Sequence, residues 1–499
     1  MVHRSVNREW PAVLPLLLLS AVFITALAVI TYLIPRLKTQ SMAAGVPAAA
    51  AGFPDNKPKL KEIADTGLIK RGQFMVFSAD RTHLVNTFTN KPVFITGESG
   101  FSLVGQLSNA DIETYFSDRE ARGFNLIWVG VVDNTYCDHP PQNALGQVPF
   151  GAHPFLNMQE PFFAHLDYVL QRAAAHDITL LLNPAFSGYP CVTGGWCSQM
   201  EDASEASMTS FGVYLGNRYK SYPNVMWLIG GDADITHRGK NLQSKLNALA
   251  IGIYSVDKVH LMTAQNIRSE SALDKWSGTP WLSVNSIYNS PPDLPVTANA
   301  NYRRSDRLPF FLLEDWYEGE HDMTQLDLRR EAYWSVLSGA HLGEVFGNNA
   351  IWPFGNAPRK TWQSQLNSEG SISRELLGKL FRSREHWKMI PDIDHNVVTG
   401  GYGSGWNLSV ASRTGDGQTI IVYVPNGIET TLSVDMSKIS SAGQRAKGWW
   451  FNPSQGSAQL IGTFPNTGTR RFTPPDANDW VLVLDDASAN LDAPGKSDL

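Results

Sequence analysis

The sequence predicts a (β/α)8 TIM barrel followed by a small C-terminal all-β sandwich and preceded by an N-terminal transmembrane segment, and three observations carry that expectation. Eight short apolar runs alternate with helix-period segments over residues 70–390. Beyond them the pattern changes to short β-like runs broken by Gly, Pro, Asn and Ser. Ahead of both, Val13 to Ile34 is an almost unbroken apolar stretch of 22 residues. At 499 residues the chain exceeds one compact core.

At about 1.5 Å per helical residue the Val13–Ile34 run is long enough for a bilayer core, and longer than the apolar region of a typical cleaved signal peptide. Arg4 and Arg8 precede it; Arg36 and Lys38 follow. We therefore expect a signal anchor over residues 1–40 and an Ala/Pro/Lys-rich linker over 41–69. Within the linker, Ser41–Gly52 leaves room for a cleavage site. The large remainder is then membrane-anchored or secreted, with its catalytic domain extracytoplasmic. The cysteines are Cys137, Cys191 and Cys197. An odd count leaves one unpaired within the chain, and the Gly-Gly turn between Cys191 and Cys197 suits a small disulfide loop. A bridge from Cys137 to either of the others is equally allowed. No His lies at ligand spacing within that loop, and His321, His341 and Asp322 offer no metal-ligand pattern. No metal or cofactor is expected. A net charge of −6 supplies no basic field for a polyanion, which argues against nucleic acid as the partner.

Candidate barrel strands are Pro92–Gly97, Phe124–Val131, Ile178–Asn183, Val225–Gly230, His260–Thr263, Trp281–Ile287, Pro309–Glu314 and Gly343–Phe346. Several are apolar throughout, as parallel strands covered on both faces should be. Between them, Ser108-Asn-Ala-Asp111 opens a helix ending near Arg122-Gly123. Phe162, Leu166, Val169, Leu170 and Ala173 recur at helical spacing, as do Leu242, Leu246, Leu249 and Ile253. A last helical segment covers Ser373 to Lys388. The β-sandwich is expected over 391–486, with runs such as Gln418–Val424 and Trp480–Leu484, and a polar tail over 487–499.

In such a barrel, reactive groups sit where strands end at the C-terminal face. The fourth strand runs into Gly230-Gly231-Asp232 and the seventh into Glu314. Breaking a glycosidic bond needs such a pair, one acid to protonate the leaving oxygen and one carboxylate to attack or to activate water. Asp234 and Glu318 are the nearest rivals for those roles. Substrate-binding candidates at neighbouring strand ends are Glu98, Asn134, Tyr136, Tyr189, Gln265, Tyr288, Trp316 and Trp352. The 15 Trp residues suit sugar stacking as well as core packing.

The ordered segments Pro92-Val-Phe-Ile-Thr-Gly-Glu98, Arg122-Gly-Phe-Asn-Leu-Ile127, Trp227-Leu-Ile-Gly-Gly-Asp232 and Glu314 with Tyr317-Glu318 resemble the apiosidase-like glycoside hydrolases. So do Glu331-Ala-Tyr-Trp-Ser-Val-Leu-Ser-Gly-Ala340, Phe346-Gly-Asn348, Ile351-Trp352, Trp450-Phe-Asn-Pro453 and Asp479-Trp-Val-Leu-Val-Leu484. That resemblance covers residues 70 to 485 and implies a catalytic barrel with a C-terminal β-domain of the collagen-binding type. It carries the acid/base role to Asp232 and the nucleophile role to Glu314. Two positions depart from it. Gly97-Glu-Ser-Gly-Phe101 stands where the family often has Gly-Asp-Thr-Ala-Trp, and Thr263-Ala-Gln265 where it often has a His after the Thr. The family's apiose-bearing pectin substrate is therefore not carried over. The expected function is a retaining two-carboxylate glycosidase acting on a poly- or oligosaccharide. The alternatives are inverting hydrolysis by the same pair, or a carbohydrate- or matrix-binding protein on an inactive barrel. Loss of either carboxylate would have favoured the last, and both are present.

Overall fold

The computed structural model describes residues 75–188, 194–233, 242–355, 360–427, 430–440 and 442–499. Val13–Ile34, the linker, Tyr189, Cys191 and Asp234 lie outside them. Among the described residues no helix is long and apolar enough to cross a membrane.

The chain enters through a small antiparallel sheet of β1 (Met75–Phe77), β2 (Leu84–Asn86) and β3 (Lys91–Val93). The run expected as one strand at Pro92–Gly97 is divided here. Phe94 turns away to stack on Phe381 (ring centroids 5.0 Å apart), and the barrel begins after it.

Eight parallel strands follow. They are β4 (Ile95–Ser99), β5 (Leu126–Gly130), β6 (Thr179–Asn183), β7 (Val225–Ala233), β8 (Met262–Asn266), β9 (Asn285–Tyr288), β10 (Phe310–Glu314) and β11 (Gly343–Phe346). Ladder pairing runs β8-β7-β6-β5-β4-β11-β10-β9. The β8–β9 seam is joined differently: Ser286 Oγ donates to the Ala264 carbonyl (2.6 Å) and the Val284 amide to that of Met262 (3.2 Å). Alternation sends Ile95, Trp128, Leu181, Leu228, Phe311 and Val345 into the lumen. Ile127, Leu180, Trp227 and Ile229 face the surrounding helices instead.

Two strands are displaced from their expected positions. The fifth is Met262–Asn266 rather than His260–Thr263, because Asp257 Oδ1 accepts the amides of Val259 and His260 (3.2 Å each) and holds that stretch in a turn. The sixth starts at Asn285 rather than Trp281, whose ring packs beside Trp276 (centroids 5.2 Å apart) in the helical layer. The helix expected at Ser373–Lys388 covers Glu369–Arg382, capped by Ser368, and gives way to a 3-10 turn at His386–Lys388.

The C-terminal region is a sandwich. Its larger sheet orders β12 (Met389–Pro391), β14 (Val410–Thr414), β15 (Thr419–Val424), β20 (Trp480–Asp486), β17 (Arg445–Phe451) and β18 (Ala458–Pro465). The smaller one holds β13 (Val398–Gly400), β16 (Leu432–Asp435) and β19 (Thr469–Phe472). On β15 and β20, Ile420, Val422, Leu482 and Leu484 fill the sandwich, whereas Ile421, Tyr423, Val481 and Val483 pack on the barrel's helices. Tyr423 stacks on Tyr333 of helix Gln325–Leu337 with centroids 4.6 Å apart. Two bidentate pairs fasten the same face, Arg329 to Asp479 (2.7 and 2.8 Å) and Arg384 to Asp485 (2.9 and 2.8 Å). The 487–499 tail lies back on the barrel, with the Leu499 amide donating to the Arg382 carbonyl (3.0 Å). Cys197 is disulfide-bonded, and Cys137 is free and buried.

Candidate active site

The end of β7 depends on backbone freedom. Gly230, Gly231 and Asp232 all have positive φ (91°, 116° and 47°), and the β7–β8 register shifts between Gly230 and Ala233. A β-carbon at Gly231 would sit 2.1 Å from the Phe186 ring, and one at Gly230 would sit 2.5 Å from the Gln265 carbonyl. Only glycines let the strand coil here and turn the Asp232 side chain into the barrel mouth. Across the mouth, β10 delivers Glu314 just past a register shift against β9.

Gln265, at the end of β8, spans the two acids. Its Oε1 accepts the Asp232 amide (3.2 Å) while its Nε2 donates to Glu314 Oε2. The hydroxyl of Tyr317 lies against Glu314 and that of Tyr288 against Asp232. Burial pushes the Glu314 carboxyl well above the ordinary carboxylate range, and the neighbouring Asp232 charge pushes it further. Burial likewise raises Asp232 to about 6, with the Arg268 guanidinium and the Tyr288 hydroxyl opposing the rise. Two acids in one partly buried site do not both ionise cheaply, so the pair keeps one proton near neutrality.

Above them opens a cavity of about 230 Å³. Asp232, Glu314, Tyr136, Tyr288 and Trp352 line it, together with Phe101, Trp128, Phe186, Arg268, Asp315, Tyr317 and Glu320. Phe101, Tyr136, Phe186 and Trp352 form one edge-on aromatic wall, with centroid separations from 5.1 to 6.4 Å. Phe101 thus supplies a ring at the position where the sequence departs from the Trp of its apparent relatives. Gln265, at the other departure, ties the Glu314 carboxylate to the Asp232 backbone amide.

Sequence reasoning passed over Arg268 and Glu320. Each sits a few residues beyond a strand end, where loop geometry rather than pattern decides which way a side chain points. Asp315 was hidden by its place directly after Glu314. It is 3% exposed, and burial pushes its carboxyl up to about 8 despite the nearby Arg374.

Other expectations need correction. Glu98 is fully buried and points outward from β4, where it pairs with Arg119 (2.8 Å) and accepts the Tyr115 hydroxyl (2.5 Å). It locks helix Asn109–Ala121 to the barrel and does not line the cavity, because strand alternation turns Ser99 inward in its place. Asn134 donates to the Gly195 carbonyl (2.7 Å) and borders a separate depression with Phe150 and Trp196. Trp316 leans on His321 (centroids 4.8 Å apart) and is not part of the cavity wall. Tyr189 lies outside the described residues. The rival Glu318 is a clamp, accepting from Asn348 (2.9 Å), Ser368 (2.6 Å) and the Gly370 amide (3.2 Å). The rival Asp234, like Tyr189, is not among the described residues. No described group of His, Cys, Asp and Glu could hold a metal ion.

Comparison with known proteins agrees with this fold. A solved glycoside hydrolase family 5 structure from Bacteroides vulgatus superposes with a TM-score of 0.74 at 24% identity, covering 85% of this chain and 95% of that one. A second solved structure, described as a glycoside hydrolase, gives 0.70 at 26% identity over 84% of this chain and 97% of its own. No curated protein sequence matches. Residues 390–485 match the family model "Putative collagen-binding domain of a collagenase". Residues 78–388 match the model "Apiosidase-like, catalytic domain", so the chain belongs to the apiosidase-like family.

Proposed function

We propose that this protein is a retaining glycoside hydrolase of an extracytoplasmic poly- or oligosaccharide, held at the membrane through Val13–Ile34. The observation that carries the chemistry is the Gln265 bridge between Asp232 and Glu314 inside an aromatic-walled pocket. The sugar ring lies against the aromatic wall with its anomeric carbon over Glu314. With the pair's one proton moved onto Asp232, Glu314 attacks as the carboxylate, stabilised by donors from Gln265 and Tyr317, and forms a glycosyl ester. Asp232 delivers its proton to the departing oxygen, which leaves as an alcohol. Asp232, now ionised, takes a proton from water, and that water breaks the ester and regenerates both groups.

Hydrolysis of a glycan panel by the full chain, followed by proton NMR of the fresh product, tests this reading. The first product should carry the substrate's anomeric configuration. Glu314→Gln should lose turnover by about 10⁴-fold or more. Asp232→Asn should keep much of its activity on aryl glycosides whose leaving group needs no proton, and azide should rescue part of the remainder. An inverted product would overturn the retaining mechanism. Full activity in Glu314→Gln would overturn the assignment of the pair. The anchor is tested by fractionating cells that express the full chain and shaving them with protease. A soluble pool protected inside the cell would reject it.

A further inference from the structure

A second cavity, of about 840 Å³, opens at the opposite end of the barrel. Its walls come from three places: the β1–β2 turn, the segments leading into β10 and β11, and the first strands of the sandwich. Trp387 and Tyr302 both line it and are both partly exposed.

The charges around it are unevenly committed. Asp80 is held by its own turn, accepting from Ser78 Oγ (2.6 Å) and Thr82 Oγ1 (2.8 Å), which keeps its carboxyl near a pKa of about 2. Asp416 is paired with Lys388 (2.8 Å). Arg81 and Arg307 are exposed, and among the described residues neither is ion-paired with a carboxylate, Arg307 Nη1 donating only to the Tyr302 carbonyl (3.1 Å). Each is braced over a ring, Arg307 on Tyr302 (4.2 Å) and Arg81 on Phe77 (4.9 Å). Two braced guanidiniums beside an accessible indole match a ligand that carries carboxylates on flat-faced rings.

We propose that this cavity is a non-catalytic binding site for an acidic oligosaccharide, with Arg81 and Arg307 taking uronate carboxylates and Trp387 stacking on a sugar face. The site joins the barrel to the sandwich, so it gives the C-terminal domain a part in holding glycan. It does not depend on the reaction at the other end.

Calorimetric titration of the full chain carrying Glu314→Gln tests it, since this form should bind sugar without cutting it. The probes are tetragalacturonate and the neutral galactose tetramer. The acidic tetramer should bind, and more weakly in 0.5 M salt, as expected for guanidinium–carboxylate contacts. Arg81→Ala combined with Arg307→Ala should weaken it at least tenfold, and Trp387→Ala should also weaken it. Arg307→Lys should retain part of the affinity. Both arginines are exposed, so the double variant should keep its melting temperature. Unchanged affinity in the double variant, or equal binding of the neutral tetramer, would overturn the proposal.

Discussion

Asp232 is expensive to the fold in its ionised state. Burial opposes its charge and pushes its carboxyl up from 3.8 to about 6. The folded state therefore binds the proton more tightly than the unfolded one. The resulting penalty is absent below about pH 4, grows as pH rises through the folded pKa, and is complete above it. Asp232→Asn should therefore melt higher than the parent at pH 7 to 8, with the gain shrinking towards pH 4. A gain that is the same at both pH values would show that ionisation is not its cause. Gln265 poses a different test. Its replacement by Leu leaves the Glu314 carboxylate short of a donor and the Asp232 loop loose. Losing one hydrogen bond to a charged group costs about 1.5–3 kcal/mol, so kcat should fall roughly 10- to 150-fold, with less change in KM.

At the scale of the element, the β7 end is the least tolerant segment of the site. Gly231→Ala puts a methyl into the Phe186 ring at an unfavourable φ. Activity should drop far more than the melting temperature if the loop shifts to relieve the clash, and both can be read on one preparation. This element was legible in the sequence because Gly-Gly-Asp follows an unbroken apolar run, a pattern that needs no tertiary knowledge. Glu314 was legible for the same reason. Glu98 misled because a strand-end acid reads identically whether it faces the lumen or the helices, and only the register of β4 decides. Arg268 and Glu320 lie in loops whose course is set by packing between strands distant in sequence. The displaced fifth and sixth strands show a related limit: His260 and Trp281 have strand-like neighbours, but Asp257 and Trp276 offer each a better local partner.

For the whole molecule, the barrel and sandwich share a continuous apolar contact, so the sandwich should contribute stability. Arg384 and Asp485 are 1% exposed each within it. Arg384→Ala leaves an uncompensated buried carboxylate, a change that typically costs about 3–5 kcal/mol. Its melting temperature should fall and partly recover in the double variant with Asp485→Asn. A chain cut after Met389 exposes Tyr333 and the rest of the helix face and should aggregate. A truncated protein of full stability that had lost turnover would move the sandwich's role to the reaction.

The β8–β9 seam has a consequence for how the barrel opens. Seven strand junctions are closed by ladders, while this one relies on the Ser283 and Ser286 hydroxyls and a few backbone bonds. Gln265 stands on one side of it, holding Glu314 and the Asp232 amide, and Tyr288 on the other, against Asp232. Transient parting along that line would widen the grip on a ring without unfolding anything else. Amide deuterium uptake should then be faster in β8 and β9 than in β5 and β6. A sugar seated between Gln265 and Tyr288 should slow uptake along this seam more than anywhere else in the barrel.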